Sequence, residues 1–326
     1  MKLIQKAFLS VLSVVAVAFP YGATLAFPDK PVKIVVAYPP GGGVDFVGRT
    51  ISQRLTEKWN QSVVVENKSG ASGTIGAGFV AKSQPDGYTM LLASPAEVLV
   101  GPIAGQKINY DPERELIPVA LVGETPLVIA VNPASGIKNL DDLIQQSKKK
   151  PGSLSYGTPG SGSSMHFAGE ALKANAGIAV VHIPYRGAAP AVTDLLGNQI
   201  PIGIVGMPPV VAHEKSGKLK IVAVTSQKRS SAFPNIPAVS EFPNMKGYSF
   251  TNWMLLFVPA NTPQTVIAKV GKDVADVVAE NSIRDRLLSG GVEPMGLIGA
   301  DLAKFMSDER SRYGTLVKER GIRASD

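Results

Sequence analysis

The chain predicts an α/β protein built as two lobes joined by two crossing strands. Through most of its 326 residues, short apolar runs alternate with longer stretches of helical period, the pattern of sheets flanked by helices. That alternation gives way near the end to a block of helical patterns with no strands of its own to cover. Two glycine-rich loops, Pro39-Pro40-Gly41-Gly42-Gly43 and Thr158-Pro159-Gly160-Ser161-Gly162-Ser163-Ser164, stand one in each half, and each follows an apolar run and opens a helical pattern.

In chain order, Val32–Ala37 reads as a strand, after which Phe46, Val47, Ile51, Leu55 and Trp59 recur at helical spacing. Val63–Val65 is a second strand and Thr74–Ala81 a short helix; the turn Pro85-Asp86-Gly87 leads into the strand Tyr88–Ala93. The rhythm resumes with strand Leu127–Val131, helix Leu140–Gln146, a strand near Leu154–Tyr156, helix Met165–Asn175, strand Val180–Ile183 and helix Ala188–Leu196. Ile202–Val205 and Leu219–Thr225 complete that block. Trp253–Val258 is a last strand, followed by the helical patterns Thr265–Val278, Ile283–Leu288 and Leu302–Arg320. Strand-then-helix alternation predicts parallel sheets. The closing helices need the first sheet to pack on, so the chain crosses between lobes near Gly123–Pro126 and returns near Gly247–Phe250. This divides the chain into a first lobe of residues 27–124 with 250–326 and a second lobe of 125–249, after a leader of residues 1–26.

The leader carries Lys2 and Lys6, the apolar stretch Ala7 to Phe19 and the small-residue pattern Thr24-Leu25-Ala26, which together predict a cleaved secretory signal peptide and a mature start near Phe27. The chain has no cysteine, which excludes disulfides, thiolate metal sites, a cysteine nucleophile and lipid attachment at the cleavage site. No later segment is long and apolar enough to span a bilayer. A free periplasmic protein is therefore expected. The formal charge of +7 falls to +5 without Lys2 and Lys6, and the remaining basic residues are scattered apart from Lys148-Lys149-Lys150 at a helix end, so no nucleic-acid surface is expected.

A glycine loop at a strand–helix junction leaves backbone N–H groups unpaired at the positive end of the helix dipole, a site for carboxylate or phosphate without lysine or arginine. Two further helix starts join the glycine-rich pair: Ser94-Pro95, the preferred cap residue followed by the preferred first helical residue, and Gly187-Ala188-Ala189-Pro190, which leaves its N–H groups bare just after Arg186. All four loops leave the carboxyl ends of strands, where open α/β sheets bind ligands, and would converge on one cleft. Several residues keep two readings. Gly41–Gly43 either binds an anion or makes a tight turn; Asp45 either faces the helix dipole or accepts from a ligand amino group. Of Ser161, Ser163 and Ser164, one caps the helix and the others are free for ligand; Thr158 is evenly placed between roles, and Arg186 is a surface residue or a carboxylate partner. His166 is expected neutral, structural or a hydrogen-bond donor, while His182 and His213 read as ordinary strand-end and surface residues. No GxxxxGK[ST], GxGxxG at a strand–helix junction, GxSxG or HExxH stands in the chain, so nucleotide binding and hydrolysis are poorly supported, and three scattered histidines make no metal site. The chemistry is binding, with no cofactor or metal.

Tyr38-Pro39-Pro40-Gly41-Gly42-Gly43-Val44-Asp45, Val64-Val65-Glu66-Asn67-Lys68-Ser69-Gly70-Ala71 and Pro85-Asp86-Gly87-Tyr88-Thr89 resemble the Bug-type solute-binding proteins, receptors of tripartite tricarboxylate transporters. Gly160 to His166, His182 to Gly187, and Ala223-Val224-Thr225-Ser226 with Arg229 extend the resemblance over the mature chain. It implies a Venus-flytrap, type II-like periplasmic-binding-protein fold that closes on small carboxylates through backbone N–H groups. It also implies a monomer that delivers ligand to large and small membrane subunits. Family pocket positions fall on Gly42, Gly43, Asp45, Ser94, Thr158, Ser161, Ser164, Arg186, Gly187 and Ala188. Family members often carry an aspartate in the segment matching Ile204-Val205-Gly206-Met207; this chain has none, which favours a plain carboxylic acid over an amino acid. A ligand sensor for a signalling system, or a secreted α/β enzyme using the same cleft, are the alternatives.

Overall fold

The computed structural model describes residues 27–230 and 233–320, so the expected leader lies outside the described residues. The first sheet begins with β1 (Val32–Val36), β2 (Val63–Asn67) and β3 (Thr89–Ala93), paired parallel in the order β2-β1-β3. The helix Gly43–Trp59 between β1 and β2 buries Val47, Ile51, Leu55 and Trp59 on this sheet, as its spacing predicts.

β4 (Leu116–Val131) belongs to both sheets. Over Leu116–Pro126 it pairs with β9 (Thr251–Pro259), and over Leu127–Val131 it lies between β7 (Ile202–Gly206) and β8 (Lys220–Val224). The second sheet continues from β7 to β5 (Ser155–Thr158) and β6 (Val181–Pro184), all parallel. The return to the first sheet is stitched at Thr225, whose N–H donates to Leu127 O at 2.9 Å and whose O accepts from Phe250 N–H at 2.8 Å.

The expectation of parallel sheets therefore holds for β1–β3 and for β5–β7 but not for the strands at the junction. β4 runs out of the first sheet and β9 runs back, so these two pair antiparallel, and β9 also meets β3 antiparallel. β10 (Glu293–Leu297), within the closing block expected to hold only helices, pairs antiparallel with β4. Its Glu-Pro-Met-Gly-Leu sequence shows no alternation, and its register shifts between Pro294 and Leu297. Proline, lacking an N–H, suits such an edge position and hides the strand from pattern reading. Likewise Pro118 sits at a register shift in β4, which masks the first half of that strand.

The helix Gln264–Ala279 packs on the first sheet, and Trp59 Nε1 donates to its Asp273 Oδ2 at 2.7 Å. The last helix, Gly299–Arg320, reaches across to the second half of the chain, where Tyr313 Oη donates to Ser164 Oγ at 3.2 Å. Among the described residues, no helix is long and apolar enough to cross a membrane.

Candidate functional site

Each of the four loops singled out above leaves the carboxyl end of a parallel strand: β1 and β3 from the first sheet, β5 and β6 from the second. They meet around a narrow cavity of about 40 Å³. Gly42, Gly43, Ser94, Ser164 and Ala188 of the expected set line it, and no charged side chain does. Asp45, Thr158, Ser161, Arg186 and Gly187 lie behind or beside it.

In the first loop, Gly41 takes φ +86°, and Gly42 precedes the helix with no side-chain cap, so the first N–H groups of Gly43–Trp59 have no side-chain acceptor. Asp45 is buried and turned back on the loop. Its Oδ2 accepts from Gly41 N–H at 3.0 Å and Arg49 Nε at 3.0 Å, and its Oδ1 from Asn67 Nδ2 at 2.9 Å. Burial raises the pKa of this carboxyl, but the hydrogen bonds from Arg49, Gly41 and Asn67 and the Arg49 charge outweigh it and hold it below the ordinary value.

The second loop needs Gly160 at φ +150° and Gly162 at φ +76°. Ser163 is the serine that caps the helix: its Oγ accepts from His166 N–H at 3.2 Å and donates to Gly160 O at 2.7 Å. Gly162 N–H donates to His166 Nδ1 at 3.2 Å, which requires that nitrogen unprotonated and agrees with a neutral, structural imidazole. His182 is not an ordinary strand-end residue. Its ring stacks on His166 at 4.2 Å and on Tyr156 at 5.0 Å, and its Nε2 lies 2.7 Å from Thr158 Oγ1. Burial pushes its pKa down to about 4. Thr158 thus ties strand β5 to β6.

At the third loop, Ser94 lines the cavity, but the helix start behind it is already occupied. Glu97 reaches back so that its Oε1 accepts from Ser94 N–H at 2.8 Å, and its Oε2 from Ser94 Oγ and Tyr38 Oη, both at 2.7 Å. Ser94, expected to cap this helix, instead has its own N–H and Oγ–H taken up by Glu97, so an internal carboxylate stands where an external anion was expected. The spacing Ser94-x-x-Glu97 is that of a capping box, the sequence signal for this arrangement. In the fourth loop Gly187, at φ +130°, precedes the helix Ala188–Leu196 without a side-chain cap. Arg186 is exposed and makes no ion pair among the described residues.

The loops of the two sheets touch. Ser72 Oγ donates to Ser161 O at 2.7 Å, and a Cβ placed on Gly187 would lie 2.7 Å from Pro39 Cδ. Of the other lining residues, Ala96 and Asn252 stand in no sequence reading, and Tyr38, Thr125, Met165 and Gly206 entered only as parts of motifs, helices or the crossing, not as site residues. Thr125 and Asn252 face each other in register on β4 and β9, and form part of the cavity wall. Their signal was a buried polar residue in each crossing strand, beside the partly buried Glu124 and Thr251. Thr125 Oγ1 donates to Gly291 O at 2.8 Å, whereas among the described residues Asn252 Nδ2 meets Met254 Sδ at 3.7 Å. Among the described residues no group of acidic, histidine or cysteine side chains is placed to hold a metal ion.

Against known proteins, residues 47–322 match the family model of the tripartite tricarboxylate transporter family receptor, TctC. Protein BugT of Bordetella pertussis is 33% identical over 313 residues, covering 96% of this chain and 95% of that protein. Among solved structures, R. palustris Rpa4515 with adipate superposes with a TM-score of 0.88 at 29% identity, covering 91% of this chain and 99% of that one. MatC (Rpa3494) from Rhodopseudomonas palustris with bound malate superposes with a TM-score of 0.82 at 25% identity, covering 89% of this chain and 100% of that one.

Proposed function

Because the chain belongs to the tripartite tricarboxylate transporter family of receptors, we propose that it captures a small carboxylate, a di- or tricarboxylate or an aromatic acid, in the periplasm. Its lobes close on the acid, and the closed form delivers it to the transporter's large and small membrane subunits. One observation carries this reading: four loops from the carboxyl ends of parallel strands in two sheets meet at one cavity that has backbone N–H groups and hydroxyls but no cation. Such donors suit a carboxylate through helix dipoles and hydrogen bonds. That Rpa4515 holds adipate and MatC holds malate supports the same class of ligand here.

In this reading the first lobe comprises residues 27–124 with 250–326 and the second 125–249, and β4 and β9 are the hinge between them. Gly42, Gly43, Ser94, Ser164 and Ala188 contact the ligand. Asp45, Thr158 and Gly187 set the loop shapes, Ser161 takes part in closure through its carbonyl, and Arg186 stands at the rim. The acid nearest the first loop, Asp45, has both oxygens engaged, so no free carboxylate faces a ligand ammonium there, which favours plain acids over amino acids. Purified mature protein should show a thermal shift with at least one member of a panel of dicarboxylic, tricarboxylic and aromatic acids. It should also compact in X-ray scattering when that acid is added. A panel without a single shift would overturn the reading.

A further inference from the structure

Glu97 is fully buried beside the cavity, and no ion pair reaches it among the described residues. It touches the cavity only through two lining residues, Ser94 and Tyr38. The consequence follows from counting protons. Each hydroxyl carries one. With Glu97 ionised, both Ser94 Oγ–H and Tyr38 Oη–H point inward at Glu97 Oε2, each at 2.7 Å. They then present only lone pairs to the cavity, and a buried negative charge stands behind them. Both features oppose an anion. With Glu97 protonated, its own O–H donates to one of these oxygens. Tyr38 Oη–H then turns to Ser72 O, 3.2 Å away, and Ser94 Oγ–H is released toward the cavity. Ser72 O gains a donor that the ionised arrangement withholds.

We propose that Glu97 is a positioning residue whose protonation is linked to ligand capture, so that binding an anionic carboxylate at Ser94 takes up one proton from solvent onto Glu97. This rests on the carboxylate-receptor reading above. The surroundings of Glu97 contain nothing that would supply the missing charge. Tyr38 faces it from the loop after β1, and Tyr110 Oη donates to its backbone carbonyl at 2.5 Å; burial drives both phenols above their ordinary values. The turn Ala71–Gly73 and the helix Thr74–Ala81 bring no titratable side chain. In the short helix Pro112–Glu115, Glu113 pairs with Arg310 and Arg114 with Asp111. Burial outweighs the hydrogen bonds from Ser94 and Tyr38 and raises the Glu97 carboxyl to about 7, so the proton is exchangeable near neutral pH.

The test is calorimetry with malate, adipate and benzoate as probes, from pH 6 to pH 8, in buffers of different ionisation enthalpy. The wild-type protein should bind its best probe about tenfold more weakly at pH 8 than at pH 6, for a group titrating near 7 that must be protonated in the complex. At pH 8 the buffer series should report uptake of close to one proton. Glu97→Gln keeps an acceptor for Ser94 N–H and places a permanent donor at the Oε2 position. It should bind the same probe without pH dependence and without proton uptake, and at pH 8 more tightly than wild type. Binding by wild type with no proton uptake at pH 8 overturns the inference and leaves the receptor reading intact, and the wild-type buffer series decides this even where the variant does not fold. If neither protein binds a probe at any pH, nor any acid of the panel above, the receptor reading fails and the inference fails with it.

Discussion

Gly187→Ala isolates the contact between loops of the two lobes. Two costs arise at this position and they appear in different measurements. A φ of +130° is a region that alanine rarely adopts, and the strain, about 1–3 kcal/mol, is present whether the lobes are open or closed. The new Cβ would also lie 2.7 Å from Pro39 Cδ and 2.9 Å from Pro39 Cγ, whereas ordinary carbon contacts begin near 3.4 Å. The loops must therefore separate by about 0.7 Å, and overpacking of this kind costs about 1–3 kcal/mol, felt only where the loops meet. Under the closure reading, the first cost lowers the melting temperature of the ligand-free protein, and the second weakens ligand binding about 5- to 150-fold. Gly41→Ala is the control, since it shares a positive φ (+86°) but its Cβ meets only Ala189 Cβ at 3.7 Å. Pro39→Ala in the Gly187→Ala background removes the two clashing ring atoms and leaves Pro39 Cβ at an ordinary 3.8 Å. The double variant should recover most of the lost affinity, with a coupling above about 1 kcal/mol. Calorimetric affinities of these variants and of Pro39→Ala alone decide the matter. If Gly187→Ala binds within twofold of wild type, or Pro39→Ala fails to rescue it, these loops do not approach each other in the bound state.

Ser72→Ala deletes the hydrogen bond to Ser161 O, worth about 1 kcal/mol, and should weaken ligand binding about fivefold by calorimetry. Asp45→Asn removes a carboxylate held by Gly41 N–H and Arg49, and urea unfolding at pH 7 should show a loss of about 2 kcal/mol. Because the folded-state pKa of Asp45 is depressed, that loss should shrink as the pH falls from about 4, where the unfolded carboxyl takes up its proton, and vanish below the lower folded-state pKa. Glu97 works in the opposite sense. Its folded-state pKa is raised from 4.5 to about 7, so its contribution is complete below the unfolded value and is lost as the pH rises through 7. At 1.36 kcal/mol per unit this amounts to about 3 kcal/mol, and Glu97→Gln should unfold at higher denaturant than wild type at pH 8 but not at pH 4.5.

What was legible in the sequence was local. The helix Gly43–Trp59 is written in the spacing of Val47, Ile51, Leu55 and Trp59, and the four loops are written in glycine and serine at strand ends. The crossing near Gly123–Pro126 falls within the stretch of β4 that changes partners, from Pro126 paired with β9 to Leu127 paired with β7. What was not legible depends on residues far apart in the chain. Thr125 and Asn252 become opposite residues of one cavity wall only through the register of β4 on β9. His166 and His182 stack only because β5 and β6 are neighbours. The antiparallel centre of the first sheet was hidden because alternation of strand and helix describes how a chain is spaced, not which strand it returns beside.

A cavity without a cation also bears on how such a receptor tells empty from filled. An arginine in the site would attract acids strongly, but in the empty protein its charge would need hydration or an internal carboxylate, and closure without ligand would bury it unpaired. Backbone N–H groups at uncapped helix starts carry only partial charges, so water satisfies them cheaply when the cleft is open. Under the closure reading they lose that water when the lobes meet, and an acceptor must replace it. In this chain the helix start at Ser94 already holds such an acceptor in Glu97, while those at Gly42 and Gly187 hold none. The site is thus short of acceptors at some loops and supplied with one at another. Under the receptor reading a ligand carboxylate meets bare donors at the unfilled loops, and one that reaches Ser94 must be matched by a proton taken up onto Glu97.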